Sequence, residues 1–289
     1  MIWIFLATTA EVKTDALFEA VPLPVIGFTA GIEGPACDAA GNLYAVAFRR
    51  AENIARVTPE GMAEVFVTLP NKSCGNGIVF DRAGRMFVAD YVNHSVLAID
   101  VASRETSTFV YEPKMHQPND LAIDANDVIY ASDPDWENGR GQVWKIMPDG
   151  AIALFATDLG TTNGIEVSPD GKTLYVNESV QRNIWKFDLS AKAPAKELLV
   201  KFEDHGLDGM RCDIDGNLYV ARYGKGSVAK VSPSGEILQE IDVLGSKPSN
   251  ICLGGPDGRT AYVTEVEKQR IITFRVDRPG LAWSRSQPK

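Results

Sequence analysis

Six oxygen-bearing side chains recur along this chain, each placed just before an apolar run that is typical of a β-strand. They are spaced at intervals of 41 to 45 residues, and we call them the leading residues: Glu33, Asn76, Asn119, Asn163, Asp208 and Ser249. Carboxylate and amide oxygens are the ligands that a hard cation such as Ca²⁺ prefers, and it takes about six to eight of them. None of the six is His or Cys, which argues against a soft metal. The pattern predicts a metal site if the fold brings these residues together.

The elements around each leading residue repeat in a fixed order. After the first apolar run comes a turn such as Ala83-Gly84-Arg85, and then a second strand such as Met86-Phe87-Val88-Ala89. A third strand follows, and a more polar fourth run closes most units. Glycine and asparagine supply the positive φ angles that hairpin turns need. Four strands in a repeat of about 40 residues are typical of a propeller blade. We therefore predict an all-β fold, a six-bladed β-propeller with four antiparallel strands per blade, and a single domain over residues 1–289.

Propeller geometry would turn this linear repeat into a ring, because the first strand of each blade lines the central channel. Equivalent positions then lie at one height around the axis. Glu33, Asn119, Asn163 and Asp208 are the predicted metal ligands in the channel, and Ser249 is predicted to be structural. One alternative stays open at this point. Asn-Gly and Asp-Gly are also common two-residue hairpin turns, and Asn76 in particular fits either interpretation.

The ends of the second strands should return to the same face of the ring. The residues there are Asp90, Asp133, Glu178, Arg222 and Glu265. Asp133 is the preferred candidate for acid–base work, because it shares a unit with Asn119 and leads into a longer loop over residues 135–141. An aromatic residue in that loop, Trp136, would cover a bound substrate.

Four motifs in register with the predicted blades carry a family resemblance. They are Glu33-Gly34-Pro35, Pro118-Asn119-Asp120, Asn163-Gly164-Ile165 and Asp208-Gly209-Met210. In these motifs the chain resembles the gluconolactonase, senescence marker protein (regucalcin) and luciferin-regenerating family, over about residues 32–283. Diisopropyl fluorophosphatase and staphylococcal lactonases are similar more distantly. The resemblance implies a six-bladed propeller with a divalent metal in its channel. It also implies that Glu33, Asn163 and Asp208 bind the metal and that Asn119 binds the metal or the substrate.

The chain departs from the family pattern at one position. Sugar lactonases often have an arginine two residues before the residue that corresponds to Asn119, and this chain has Gln117 there. A bidentate, charged contact to the substrate is lost with the arginine, which argues against an aldonolactone. Gln117 stays a candidate for substrate binding, and Arg222 is the expected replacement for the missing positive charge.

The predicted function is a divalent-metal-dependent hydrolase that opens a lactone. The metal would act as a Lewis acid on the carbonyl oxygen, and Asp208 or Asp133 would take the proton, with Asp208 a ligand first. Ca²⁺ is the preferred ion, and Zn²⁺, Mn²⁺, Mg²⁺ and Fe²⁺ are alternatives. Two other functions remain open: a phosphotriesterase-like hydrolase, since the same metal also polarises a P=O bond, and a metal-binding propeller without turnover.

Net charge, the N-terminal segment and the cysteine content bear on the binding partners and the location of the protein. The net charge of −9 disfavours nucleic acid, so we expect a small-molecule substrate. Residues 1–10 are apolar but too short to span a membrane, and we expect a strand there rather than a signal peptide. Four cysteines without a paired motif favour the cytoplasm, with a periplasmic or secreted protein as the alternative. A monomer or weak homodimer and a disordered tail over residues 285–289 complete the expectations.

Overall fold

The strands of the computed structural model, which describes residues 16–287, form six four-stranded antiparallel sheets. The first strand in the chain, β1 (Val21–Pro22), joins the last of these sheets. The other strands follow the chain blade by blade. Blade 1 contains β2 (Ala36–Cys37), β3 (Leu43–Val46), β4 (Asn53–Val57) and β5 (Ala63–Thr68). Blade 2 contains β6 (Gly75–Phe80), β7 (Met86–Asp90), β8 (Ser95–Ile99) and β9 (Thr106–Tyr111). Blade 3 contains β10 (Leu121–Ile123), β11 (Ile129–Asp135), β12 (Arg140–Ile146) and β13 (Ile152–Leu159).

The second half of the ring repeats this arrangement. Blade 4 contains β14 (Thr162–Val167), β15 (Thr173–Glu178), β16 (Asn183–Asp188) and β17 (Lys196–Lys201). Blade 5 contains β18 (Met210–Cys212), β19 (Leu218–Arg222), β20 (Ser227–Val231) and β21 (Ile237–Asp242). Blade 6 contains β22 (Pro248–Gly254), β23 (Thr260–Glu265), β24 (Arg270–Arg275) and, as its outer strand, β1. The six-bladed propeller predicted from the repeat is confirmed.

The ring closes between the two ends of the chain. Val21 of β1 pairs with Thr273 of β24 in antiparallel register, so residues from before blade 1 complete blade 6. The strand expected over residues 1–10 lies outside the described residues. The inner strands of neighbouring blades also contact each other around the whole channel, including β22 with β2.

The hydrophobic core lies mainly between adjacent blades. Tyr44 and Phe66 of blade 1, for example, pack in one cluster with Ile78 and Met86 of blade 2. Inner and second strands are almost fully buried, whereas outer strands such as β13 alternate between partly buried and exposed residues. Because each blade shares its apolar faces with its neighbours, the ring holds the starts of the inner strands in fixed relative positions.

A short helix, α1 (Leu281–Ser286), lies at the end of the channel where the inner strands finish. Its Arg285 guanidinium donates to the backbone oxygens of Ile123 (3.0 Å) and Ser168 (3.3 Å). These two hydrogen bonds attach Arg285, the first residue of the tail predicted to be disordered, to blades 3 and 4, and the disorder of the tail stays a prediction. No helix in residues 16–287 is long and apolar enough to cross a membrane. The cytoplasmic location and the single-domain organisation of residues 1–289 stay predictions.

Candidate functional site

The leading residues line one cavity of about 700 Å³ at the end of the channel where the inner strands begin. All six reach it, from six different blades: Glu33, Asn76, Asn119, Asn163, Asp208 and Ser249. The periodic spacing in sequence has therefore become a ring of oxygen-bearing side chains. Their roles as ligands remain predictions.

Three amide oxygens in this ring are buried without a hydrogen-bond partner among the described residues. They are the Oδ1 atoms of Asn76, Asn119 and Asn163. The orientation of Asn163 is set by its Nδ2, which donates to Ser179 Oγ at 3.0 Å and leaves Oδ1 free. A buried acceptor without a donor costs about 1–3 kcal/mol. Three of them in one cavity indicate a positively charged group that would bind there.

The two carboxylates of the ring repel each other. Burial raises the pKa of Glu33 to about 7, and the Gly34 N–H, which donates to Oε2 at 2.7 Å, offsets part of this rise. Burial also raises the pKa of Asp208 well above its usual range, and the charge of Glu33 raises it further. Both side chains keep some contact with the open channel. An opposite charge between them would favour their ionised forms.

These donors fit a hard divalent cation. No cluster of three or more His, Cys, Asp or Glu side chains within residues 16–287 is arranged for a metal. A cation at the ring would therefore need the amide oxygens as well as Glu33 and Asp208. An all-oxygen donor set with two carboxylates is what Ca²⁺ takes, and the unpartnered Oδ1 atoms support that fit.

Ser249 differs from the other leading residues because its hydroxyl is already used. It donates to Ile32 O at 2.9 Å and lies 2.9 Å from Thr264 Oγ1. Ser249 therefore ties blade 6 to the loop that leads into blade 1, in line with the structural role predicted for it.

Glycine follows four of the leading residues because neighbouring inner strands approach closely. A Cβ on Gly77 would lie 2.4 Å from Asp120 Oδ1, and one on Gly209 would lie 2.0 Å from Asn250 Cγ. Gly77 sits inside β6 rather than in a turn. The hairpin-turn interpretation of these dipeptides is therefore wrong, because the glycine makes room for a side chain of the next blade.

A buried ion pair lies next to the ring in the channel. Asp120 accepts two hydrogen bonds of 2.8 Å from the Arg211 guanidinium, and both side chains are buried. Asp120 follows Asn119 in sequence, and its charge also raises the pKa of Glu33 and Asp208. The pair links blade 3 to blade 5 across the start of blade 4.

Asp133, the predicted alternative base, lies away from the cavity. It is fully buried and absent from the cavity lining, and its carboxylate accepts from the backbone N–H groups of His116 (2.8 Å) and Gln117 (2.7 Å). Gln142 Nε2 and Trp144 Nε1 donate to its Oδ2, each at 2.8 Å. A carboxylate with four donors is not free to act as a base in this cavity. Gln117 also lies outside the lining, so the structure does not support its predicted contact with substrate.

Arg222 does not face the cavity either. Its guanidinium donates to Asp204 and Glu240, each at 2.7 Å, and lies 4.0 Å from the centre of the Phe202 ring. Because the side chain is fully buried in these contacts, it cannot replace the missing substrate-binding arginine.

Asp133 and Arg222 belong to a set of five equivalent clamps. Each sits at the end of a second strand, is almost completely buried, and holds the loop that leads into the inner strand of its own blade. The held partners are Ser73 for Asp90, His116 and Gln117 for Asp133, Gly160 for Glu178, Asp204 for Arg222 and Lys247 for Glu265. These partners lie two to four residues before a leading residue. The clamps therefore hold the loops that lead to the leading residues of blades 2 to 6.

The remaining wall of the cavity includes several aromatic and apolar side chains and the guanidinium of Arg182. Trp136 lines it, as the long loop after Asp133 predicted. Sequence reasoning missed Tyr91, Tyr223 and Arg182, which also line it. The repeat could have located the two tyrosines, since each directly follows a clamp residue, but no periodic signal marks Arg182.

Comparison with known protein families shows to which family this chain is related. The sequence matches the family model described as the SMP-30/Gluconolactonase/LRE-like region over residues 32–267. The chain belongs to this family. The resemblance predicted from four motifs is therefore confirmed, and the match covers every leading residue of the ring.

Named relatives include hydrolases of two chemical kinds. The chain is 29% identical over 246 residues to the gluconolactonase of Zymomonas mobilis, which covers 75% of this chain and 68% of that enzyme. It is 29% identical over 286 residues to the diisopropyl-fluorophosphatase of Loligo vulgaris, covering 86% of this chain and 90% of that enzyme. A solved structure of regucalcin from Agrobacterium tumefaciens, described as a calcium-binding protein, shares the fold with a TM-score of 0.73 and 19% identity, covering 91% and 93% of the two chains.

Proposed function

We propose that this protein is a divalent-cation-dependent lactonase whose cation is held in the channel by Glu33, Asn119, Asn163 and Asp208. The observation that carries the proposal is the ring itself: two carboxylates with raised pKa and three unpartnered amide oxygens in one cavity. Its third amide oxygen belongs to Asn76, which joins the proposed ligand set. Ca²⁺ is the preferred ion, and Zn²⁺, Mn²⁺, Mg²⁺ and Fe²⁺ remain candidates.

When bound, such a cation would polarise a carbonyl oxygen and make water more acidic. The chain's own contribution is orientation and proton transfer. Of the two predicted bases, Asp208 lines the cavity and Asp133 does not. We therefore assign to an Asp208 carboxylate oxygen the proton that is released when water adds to the lactone carbonyl carbon. The same carboxyl group would return this proton to the ring oxygen as the bond between that oxygen and the carbonyl carbon breaks, which gives the open hydroxy acid. Trp136 and Tyr91 would form the apolar wall that limits water around the ring of the substrate.

The direct test combines metal analysis with turnover. Purified protein should contain about one divalent ion per chain and hydrolyse lactones, and removal of the ion by a chelator should stop hydrolysis. Asp208→Asn keeps the size of the side chain but removes its charge, so it should lose both the ion and the activity. Glu236→Gln, an exposed carboxylate of blade 5, is the matched control. Full lactonase activity in metal-free Asp208→Asn protein would exclude this function.

A phosphotriesterase activity is the second candidate. It is favoured by the similarity to the Loligo vulgaris fluorophosphatase, which extends over 90% of that enzyme. A panel of lactones and fluorophosphates assayed with the same metal-loaded protein separates the two functions. Metal binding without turnover of either class would instead favour a calcium-binding role.

A further inference from the structure

Arg182 occupies a defined position on the wall of the cavity. It lies in the turn between β15 and β16, in a left-handed conformation with φ of 64°. Its backbone N–H donates to Glu178 O, and its backbone oxygen accepts from Phe202 N, each at 2.9 Å. The backbone that carries the guanidinium is therefore fixed on both sides, next to Ser179 and the ring residue Asn163.

The guanidinium of Arg182 has no protein partner among the described residues. No carboxylate within residues 16–287 lies at ion-pair distance from it, and its Nε is buried without a hydrogen bond. The guanidinium groups of Arg211 and Arg222, in contrast, each have carboxylate partners: Arg211 binds Asp120, and Arg222 binds Asp204 and Glu240. Leaving a buried donor unpaired is costly, so Arg182 is placed where a ligand would be its partner.

The charge balance of the cavity indicates the chemistry of that ligand. Its ionisable acids at the ring are Glu33 and Asp208, and a divalent cation would offset both. Arg182 then leaves a net positive charge on the wall of the cavity that Trp136 also lines. A guanidinium binds planar oxyanions bidentately, and a carboxylate matches its geometry.

We propose, on the basis of the lactonase function above, that the substrate is an anionic lactone and that Arg182 binds its oxyanion substituent. Arg182 is then a specificity-determining residue that lies in blade 4, not at the blade 3 position held by Gln117. The neutral part of the lactone would contact the aromatic wall while the carbonyl faces the ring.

A matched pair of lactones tests this proposal. D-glucaro-1,4-lactone carries a carboxylate where D-glucono-1,4-lactone carries a neutral CH₂OH group on the same five-membered ring. The variants are Arg182→Met, Arg182→Lys and, as control, Lys247→Met. The Glu265 clamp holds Lys247 by its backbone N–H, which the substitution keeps. The Lys247 side chain is exposed, lies near Tyr223 and is outside the cavity lining, so Lys247→Met reports the effect of a lost positive charge alone.

We expect calcium-loaded wild type to prefer the anionic lactone in kcat/KM. Arg182→Met should reduce that value about tenfold or more, as expected for a lost charge-assisted hydrogen bond, and should change turnover of the neutral lactone less than about threefold. For the anionic lactone, the kcat/KM of Arg182→Lys should fall between those of wild type and Arg182→Met, because lysine keeps the positive charge but lacks the planar, forked set of donors of a guanidinium. Lys247→Met should resemble wild type with both lactones.

Calorimetric binding provides a readout that does not depend on turnover. The anionic lactone should bind wild type about tenfold more tightly than it binds Arg182→Met, for the same reason. Equal binding to wild type and Arg182→Met, or equal losses in Arg182→Met and Lys247→Met, would overturn the role of Arg182. If neither lactone is hydrolysed but the binding difference is found, the lactonase function fails and the anion site stands.

Discussion

Neutralising Glu33 should make the metal-free protein more stable while it removes metal binding. The pKa of Glu33 rises from 4.5 to about 7 in the folded chain, first because the group is buried and also because Asp120 lies near it. Below pH 4.5 the carboxyl is protonated in both the folded and the unfolded state, so it has no effect on stability. Above about pH 7 it is ionised in both states, and the folded state bears the whole cost. The stability of the metal-free protein should therefore fall as pH rises through this window.

The size of this effect on the free energy of unfolding follows from the pKa shift of Glu33. A pKa change from 4.5 to about 7 corresponds to about 3 kcal/mol at most, and partial contact with channel water reduces it to about 1–3 kcal/mol. In a chelator at pH 8, Glu33→Gln should unfold at a denaturant concentration higher than wild type by that free energy. At pH 4.5 the two proteins should nearly coincide.

Calcium should reverse the order of stability, so that wild type becomes more stable than Glu33→Gln. Wild type should gain about 3 kcal/mol when free calcium is a hundred times its dissociation constant, whereas Glu33→Gln should gain almost nothing. Glu236→Gln, which is exposed, serves as the control in both conditions. The reasoning fails if Glu33→Gln is less stable than wild type in chelator at pH 8, or if calcium stabilises both proteins equally.

Three further substitutions address the elements around the ring. Asp120→Asn should cost about 3–5 kcal/mol in urea unfolding, because it leaves the Arg211 charge buried without its partner; a loss below 1 kcal/mol would show that the pair is solvated. Gly209→Ala should cost about 1–3 kcal/mol, since its Cβ would lie 2.0 Å from Asn250 Cγ, and unchanged thermal unfolding would contradict that contact. Asp133→Asn should lose about 1–3 kcal/mol and weaken calcium binding measured by calorimetry, while a variant that keeps full affinity would show that the clamp does not position the ring.

The fold and the position of the ring could be predicted because both are periodic. A spacing of 41 to 45 residues determines the number of blades, and equivalent positions in a ring must share a height. The spacing of the repeat does not determine in which direction an individual side chain points. The residue at the end of a second strand can point into the channel or back towards the loop of its own blade, and for Asp133 and Arg222 it points back. Two features of the chain hint at this: Ser73 can pair with Asp90, and Asp204 can pair with Arg222.

Arg182 was not predictable for another reason. It lies in a hairpin turn outside the strands that carry the repeat. Its proposed role depends on the lack of a carboxylate partner for its guanidinium. Absence of a partner carboxylate is a property of packing, and no sequence pattern encodes it. The tail gave the same difficulty, since the contacts of Arg285 are with backbone oxygens of blades 3 and 4, which any residue type could have supplied.

The unpartnered oxygens also argue against a purely structural channel. The polar groups next to the ring have hydrogen-bond partners: Ser249 has two, Asp120 has Arg211, and the clamps hold the loops before five of the six inner strands. A fold under selection for stability alone would replace Asn119 and Asn163 by apolar residues, because each buried free acceptor costs about 1–3 kcal/mol. These amides lie beside two carboxylates that repel each other, and both features destabilise the metal-free protein. A bound cation would remove this destabilisation. The same ring that lowers stability without a metal is therefore the feature that would bind it.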